Sequence, residues 1–317
     1  MTDELNFNSL FVDQQPARRA PAGGVGDFRS GLAYLFTPEI ELAISAAAAT
    51  QRPLLVTGPA GCGKSSLARS TAARLKWRYL ERTVDSRTEI AALLWELDQL
   101  SRLQDANMKQ LDPDLLAYVR PSVLWQALDP ASAQNPRSLR QALPTLTDPG
   151  AQVPSPALDP AVVLIDEIDK ADPDLPNNLL EMLGGLRFEA AHSGLWVNCR
   201  SGVPLIVITS NDERDLPPAF VRRCIVLNLQ QPDLAKVAAL HFPNDAATVQ
   251  AALVLLAPPA SAGLATDPLS APLADTASPS AAEFLDFVQA CKVMGVMPGS
   301  PAGLALAQAC VLKGRGG

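Results

Sequence analysis

The chain has 317 residues and 33.6 kDa, enough for two or three domains, and its 48% hydrophobic and 19% charged residues are a globular, not a disordered, composition. A net charge of −7 and a pI near 4.9 argue against non-specific binding to nucleic acid or an anionic membrane, which needs clustered positive charge. Five cysteines without a C-x-x-C pair and two histidines argue against structural zinc or a disulfide framework. With no apolar N-terminal run and no apolar stretch of ~20 residues, the expectation is a soluble cytoplasmic protein without a membrane span.

Residues 1–30, rich in Pro, Gly, Ala and Arg, read as an arm with little structure of its own. Thr37-Pro38-Glu39 then combines a cap, a first-turn proline and an acid suited to the helix dipole, predicting a helix to about Thr50. The run 53–57 predicts a buried parallel strand. A helix over 64–75 and a strand over 78–84 follow. Ile90, Leu93, Leu94, Leu97 and Leu100 fall on one face of an expected helix. Residues 128–160 hold seven prolines and no sustained period, so they read as a long surface insertion. Strands are expected at 161–165, 205–209 and 224–229, a helix at 173–183 with Leu175, Leu179 and Met182 on one side, and a hairpin at 188–199 turning at His192-Ser193-Gly194. Phe188, Trp196 and the hairpin between them read either as packed into the sheet, the favoured expectation, or as facing a pore or a partner, and Trp77, Trp95 and Trp125 are expected in the core. Strands alternating with helices over about 50–230 define an α/β class with a parallel sheet covered on both faces. After Gln230 only helical patterns appear, at 232–241, 245–256, 280–294 and 301–313, with a Pro/Ala/Ser/Asp loop at 257–279 that reads as mobile. Phe284, Phe287, Val288 and Cys291 form a core stripe.

The chemistry concentrates at strand ends. Gly58-Pro59-Ala60-Gly61-Cys62-Gly63-Lys64-Ser65 fits G-x-x-x-x-G-K-[ST] between a strand and a helix. Glycines let several main-chain N–H groups converge on one anion, and the following helix adds its positive end. Lys64 supplies a charge for the β- and γ-phosphates, the Ser65 hydroxyl suits magnesium, and Ser66 completes the cradle. Cys62, with no thiol partner, reads as a small space-filler. Asp166 and Glu167 end a buried strand at its carboxyl edge, where open parallel sheets bind ligands. Asp166 suits magnesium through water, and Glu167 suits a general base. Asn211 ends a second strand and suits orientation of water near the γ-phosphate; its competing reading is a turn former. Arg222-Arg223 reads either as solvated surface or as a guanidinium aimed at a neighbouring phosphate.

The order of the phosphate loop, Leu164-Ile165-Asp166-Glu167-Ile168-Asp169-Lys170-Ala171, Thr209-Ser210-Asn211 and Leu216-Pro217-Pro218-Ala219-Phe220-Val221-Arg222-Arg223-Cys224 resembles an AAA+ ATPase, and within that superfamily the MoxR-like branch, the helix-2-insert clade. The resemblance covers about residues 30–313 and implies a P-loop NTPase sheet over 31–230, with an insertion at about 103–160, and a small all-α lid over 231–317. It implies ATP and Mg2+ as ligands, a Walker A loop at 58–65, a Walker B pair at Asp166 and Glu167, sensor 1 at Asn211, and an arginine finger at Arg223, with Arg222 second. It also implies a homo-oligomeric ring, usually a hexamer, and a protein client or partner, for several members a von Willebrand A-domain protein. The family's sensor 2 arginine matches Ser278-Pro279-Ser280-Ala281-Ala282-Glu283, which holds no arginine; Lys292 is a candidate replacement. Two rival functions stay open. One is a nucleotide-dependent switch or scaffold in a signalling or defence assembly. The other is a nucleic-acid-acting AAA+ motor, against which the acidic pI and the lack of an aromatic-basic stripe argue.

Overall fold

The computed structural model describes residues 33–140, 159–256 and 279–311. The expected N-terminal arm, residues 141–158 of the proline-rich stretch, residues 257–278 of the loop before the third C-terminal helix, and residues 312–317 lie outside the described residues. Two compact units are present. The described part of the first comprises 37–57, 68–140 and 159–227, and that of the second 33–36, 58–67, 228–256 and 279–311.

In chain order the strands are β1 (Leu54–Thr57), β2 (Arg78–Thr83), β3 (Trp95–Leu97), β4 (Val119–Pro121), β5 (Ala161–Asp166), β6 (Arg187–Glu189), β7 (Trp196–Asn198), β8 (Leu205–Thr209) and β9 (Ile225–Asn228). Five of them form one sheet in the order β2-β5-β8-β1-β9. The central strands have to be apolar on both faces, and β5 and β8 are: every residue from Ala161 to Ile165 and from Leu205 to Thr209 is buried. β2, at an edge, carries Arg78, Glu81, Arg82 and Thr83 and is half-exposed. Register is parallel in the β2–β5, β5–β8 and β8–β1 pairings, with Thr83 opposite Asp166, Ile165 opposite Ile208 and Val56 opposite Thr209.

The helix before β1 spans Pro38–Thr50, with Thr37 accepting from the Ile40 N–H at 3.4 Å. It ends on Gln51 in the left-handed region (φ 55°), and the Arg52 N–H returns to the Ala47 carbonyl at 3.1 Å. The helix Leu175–Gly185 buries Leu175, Leu179 and Met182 as the spacing predicts.

Three expectations are corrected. The helix expected through Leu100 stops at Leu94. Trp95 turns to extended backbone, β3 pairs antiparallel with β4, and a second helix, Gln99–Asn107, buries nothing. The apolar period crosses this break, so Leu100 is 67% exposed. The stretch 128–140 is not a loose insertion. Pro130 opens the helix Pro130–Gln134, Asp129 caps it by accepting the Ser132 N–H at 3.1 Å, and the buried Trp125 indole donates to the Ser132 hydroxyl at 2.8 Å. Leu128 and Leu139 are buried here too. Prolines that composition assigns to a loop sit at first-turn positions, where the missing N–H costs nothing. The hairpin exists as β6 and β7, and Phe188 is buried, but Trp196 is half-exposed under the Arg187 guanidinium, 5.2 Å from its ring centre. Trp125 is fully buried, while Trp77 and Trp95 are only partly covered.

The second unit contains helices Leu234–His241, Ala246–Leu256, Ala281–Met294 and Pro301–Cys310. Their core is Ala238, Phe242, Ala252, Phe284, Phe287, Val288, Cys291 and Ala307. Each buried Phe contributes on the order of 2–3 kcal/mol of hydrophobic stabilisation. Ser280 and Glu283 close a reciprocal capping box at the start of the third helix.

Candidate functional site

β1 runs straight into the glycine-rich loop. Gly58, Gly61 and Gly63 have φ of 140°, 75° and 99°, a sequence of turns that side-chain-bearing residues rarely adopt. Space is also closed to a side chain: a Cβ on Gly58 would stand 2.2 Å from the Leu229 carbonyl, and one on Gly61 2.6 Å from Ser280 Cβ. Lys64, 7% exposed, folds its ammonium onto the loop, donating to the carbonyls of Gly58 at 2.7 Å and Pro59 at 2.9 Å. Pro59, Ala60 and Gly61 are exposed at the loop's crown, Cys62 is buried beneath, and Ser65 and Ser66 lie in the first turn of the helix Lys64–Leu75. Burial pushes the Cys62 thiol above its ordinary pKa, against the pull of Lys64, so it stays protonated as a space-filler should. Tyr34 covers Gly63, its ring 3.3 Å from where a Cβ would be.

Because β1, β5 and β8 are parallel neighbours, their carboxyl ends share one sheet edge. Asp166 and Glu167 leave β5 there, and Ser210-Asn211 leave β8. Thr209, 1% exposed, joins them: its hydroxyl donates to Asp166 Oδ1 and accepts the Glu167 N–H at 3.0 Å. Glu167 adopts the left-handed region (φ 63°, ψ 47°), which costs a non-glycine residue about 1–2 kcal/mol. Its neighbours hold it there: Lys170 Nζ is 2.9 Å and Asn211 Nδ2 3.5 Å from Glu167 Oε1. That contact lifts the Lys170 ammonium above its usual pKa. Strain of this kind at a carboxylate is typical of functional positions.

Asp169, 3% exposed, accepts the N–H of Asn211 at 3.1 Å and of Glu213 at 3.0 Å on one oxygen. It therefore locks the turn after β5 to the loop after β8. In the sequence Asp169 and Thr209 stand only inside the motifs, with no local signal of a role. A buried acid next to two chemical ones looks from sequence like a third surface charge.

Arg222 and Arg223 follow the short helix Pro218–Val221 and are both exposed, and neither guanidinium makes a hydrogen bond or ion pair among the described residues. Lys292, the candidate stand-in for sensor 2, pairs instead with Asp245 at 2.6 Å and lies over the Phe242 ring.

A parallel sheet flanked by helices, a glycine-rich loop leaving its first strand, and acids and an amide leaving two others define a P-loop NTPase fold. The family model described as AAA domain (dynein-related subfamily) matches residues 53–224, more than half of the chain. The chain belongs to that family. No curated protein matches the sequence. Among solved structures, NtrX from Brucella abortus in complex with ADP is 13% identical with a TM-score of 0.39, over 76% of this chain and 42% of its own. A proposed ATPase from Cytophaga hutchinsonii is 12% identical with a TM-score of 0.39, over 63% and 48%. The chain thus spans less than half the length of either. AAA+ proteins typically form oligomeric rings, and no helix among the described residues is long and apolar enough to cross a membrane.

Proposed function

We propose that this protein is a MoxR-like AAA+ ATPase that hydrolyses ATP-Mg at the subunit interfaces of a ring, a hexamer by resemblance, and uses turnover to remodel or regulate a partner protein. The observation that carries the reading is the joining of Asp166, Glu167 and Asn211 at one sheet edge through Thr209 and Asp169. The hairpin β6–β7, found where the resemblance expects one before a sheet strand, supports the MoxR-like assignment. In this reading residues 31–230 form the nucleotide-binding domain and 231–317 the lid.

The loop 58–65 grips the phosphates through main-chain N–H groups, with Lys64 exchanging its two loop carbonyls for phosphate oxygens. Ser65 and Asp166 offer one hydroxyl and one carboxylate, hard oxygen donors that fit magnesium. Bound there, the ion would neutralise charge developing on the phosphates. Glu167 takes a proton from the attacking water, and Asn211 orients that water. Arg223, with Arg222 beside it, reaches the γ-phosphate of the neighbouring subunit. Loss of the γ-phosphate then releases contacts that held subunits in place, and that shift acts on the partner. A von Willebrand A-domain protein is one partner class that the resemblance suggests.

Calorimetric titration with ATP and magnesium tests the central step. The parent gives saturable heat, and Lys64→Ala weakens binding by on the order of 100-fold. No heat from the parent, or equal heat from both, overturns the reading. A second reading, a nucleotide switch with incidental turnover, is favoured by one feature: Ser280, not an arginine, stands against Gly61. Negligible turnover by assembled protein in the presence of its partner would establish it.

A further inference from the structure

The turn that carries the two arginines is held from outside by one residue. Arg52 sends Nε to the Arg223 carbonyl at 3.0 Å and Nη2 to the Cys224 carbonyl at 3.1 Å, and Nη2 also donates to the Arg222 carbonyl. These are three consecutive main-chain acceptors at the end of the helix Pro218–Val221, where carbonyls have no partner within the helix. A planar guanidinium spreads its donors in a fixed fork, and here Nε and Nη2 together serve all three.

Arg52 is itself fixed. Its N–H is bonded to Ala47 at the left-handed end of the preceding helix. One residue further, the Pro53 carbonyl accepts the Ile225 N–H at 2.8 Å. The clamp therefore fixes the main chain from which both arginine side chains start and leaves the side chains themselves exposed. A residue with that arrangement decides where a guanidinium can reach without touching what it reaches.

We propose that Arg52 is a positioning residue for the arginine that acts on the neighbouring subunit's nucleotide. The proposal rests on the reading of Arg223, or Arg222, as that group. Arg52 acts through the turn it clamps, so its loss damages the site of the next subunit and spares its own. A residue serving only stability would damage both.

Mixing of variant subunits separates these cases. Arg52→Ala, Arg223→Ala and Glu167→Gln are prepared separately, and turnover is measured at concentrations where the protein assembles. Arg52→Ala alone loses turnover by about 10–100-fold, as a misplacement of roughly 1 Å can. Its KM for ATP and its nucleotide affinity stay within about twofold of the parent, because a positioning defect of this kind falls on the transition state. Glu167→Gln subunits lack the base but keep an intact arginine turn. Added to Arg52→Ala subunits, they restore turnover to as much as about a quarter of the parent rate, since an equal random mixture joins the two in the productive order at about one ring interface in four. Arg223→Ala behaves the same way in the same mixture.

No recovery with Arg52→Ala, while Arg223→Ala recovers, overturns the proposal and leaves the finger reading standing. Parent-like turnover by both Arg223→Ala and Arg222→Ala removes the finger reading, and this proposal with it. Should Arg52→Ala fail to fold, Arg52→Lys decides: an ammonium keeps the charge but offers its donors from one atom and not across a planar fork, so its turnover falls and recovers on mixing, whereas parent-like turnover or a fall without recovery overturns the proposal.

Discussion

Two turns on the first unit carry charged groups proposed to serve one reaction, and they are built in opposite ways. Around Glu167 the side chains are tied down: Thr209, Asn211, Lys170 and Asp169 hold the strained backbone, the carboxylate and the loop beside it. Around Arg222 and Arg223 the main chain is tied down by Arg52 and the side chains are left exposed. The difference matches the partners proposed for each. A base that works within its own subunit gains from preorganisation. A group that must find a neighbour's ligand gains from a fixed origin and a free end.

Several substitutions break or sharpen that contrast. Arg223→Ala in assembled protein lowers turnover by on the order of 10³-fold or more while ATP binding persists. If Arg222→Ala does this instead, the acting group is one residue earlier. Glu167→Gln lowers turnover by about 10²–10⁴-fold at every concentration, with calorimetric ATP affinity retained; undiminished hydrolysis would remove Glu167 from the base role. Asp169→Ala strips the acceptor from two N–H groups and lowers unfolding stability by about 1–3 kcal/mol in denaturant melts. Asp169→Asn, which keeps a carbonyl acceptor, loses less, and equal losses would show that the two N–H bonds are not what matters. The smallest effect is in the arginine turn. Burial pushes the Cys224 thiol up to about 11, with Arg52 pulling the other way. Its folded-state pKa lies above the ordinary value of 9.0, so its contribution to stability is complete below that value and is lost as pH rises toward the folded value. Cys224→Ala should flatten the fall in melting temperature over that window, and an unchanged slope would show the loss to arise elsewhere.

The glycine loop, the acids ending β5 and the amide after β8 were legible because each is coded within a few residues: an apolar run, then a turn or acid of fixed type. The stripe Phe284, Phe287, Val288 and Cys291 was legible for the same reason, and all four are buried. The region 90–140 was not. Its helix breaks at Trp95 because Glu96 pairs with Arg120, a contact that no local period announces. Its prolines read as loop because composition does not distinguish Pro130 at a first turn from proline in a linker. Arg52 was invisible for a stronger reason. Its partners are main-chain carbonyls about 170 residues away, so neither its own neighbours nor the identities of Arg222 and Cys224 encode the contact.

The strand order carries a consequence for biosynthesis. Leu54 to Val56 pair with Val207 to Thr209 on one side and with a still later strand, β9, on the other. A ribosome adding about 5–20 residues per second needs roughly 10–30 s to make the intervening chain. For that interval a sticky apolar segment has no partner strand on either side. A nascent chain of this design depends on shielding until its last sheet elements emerge.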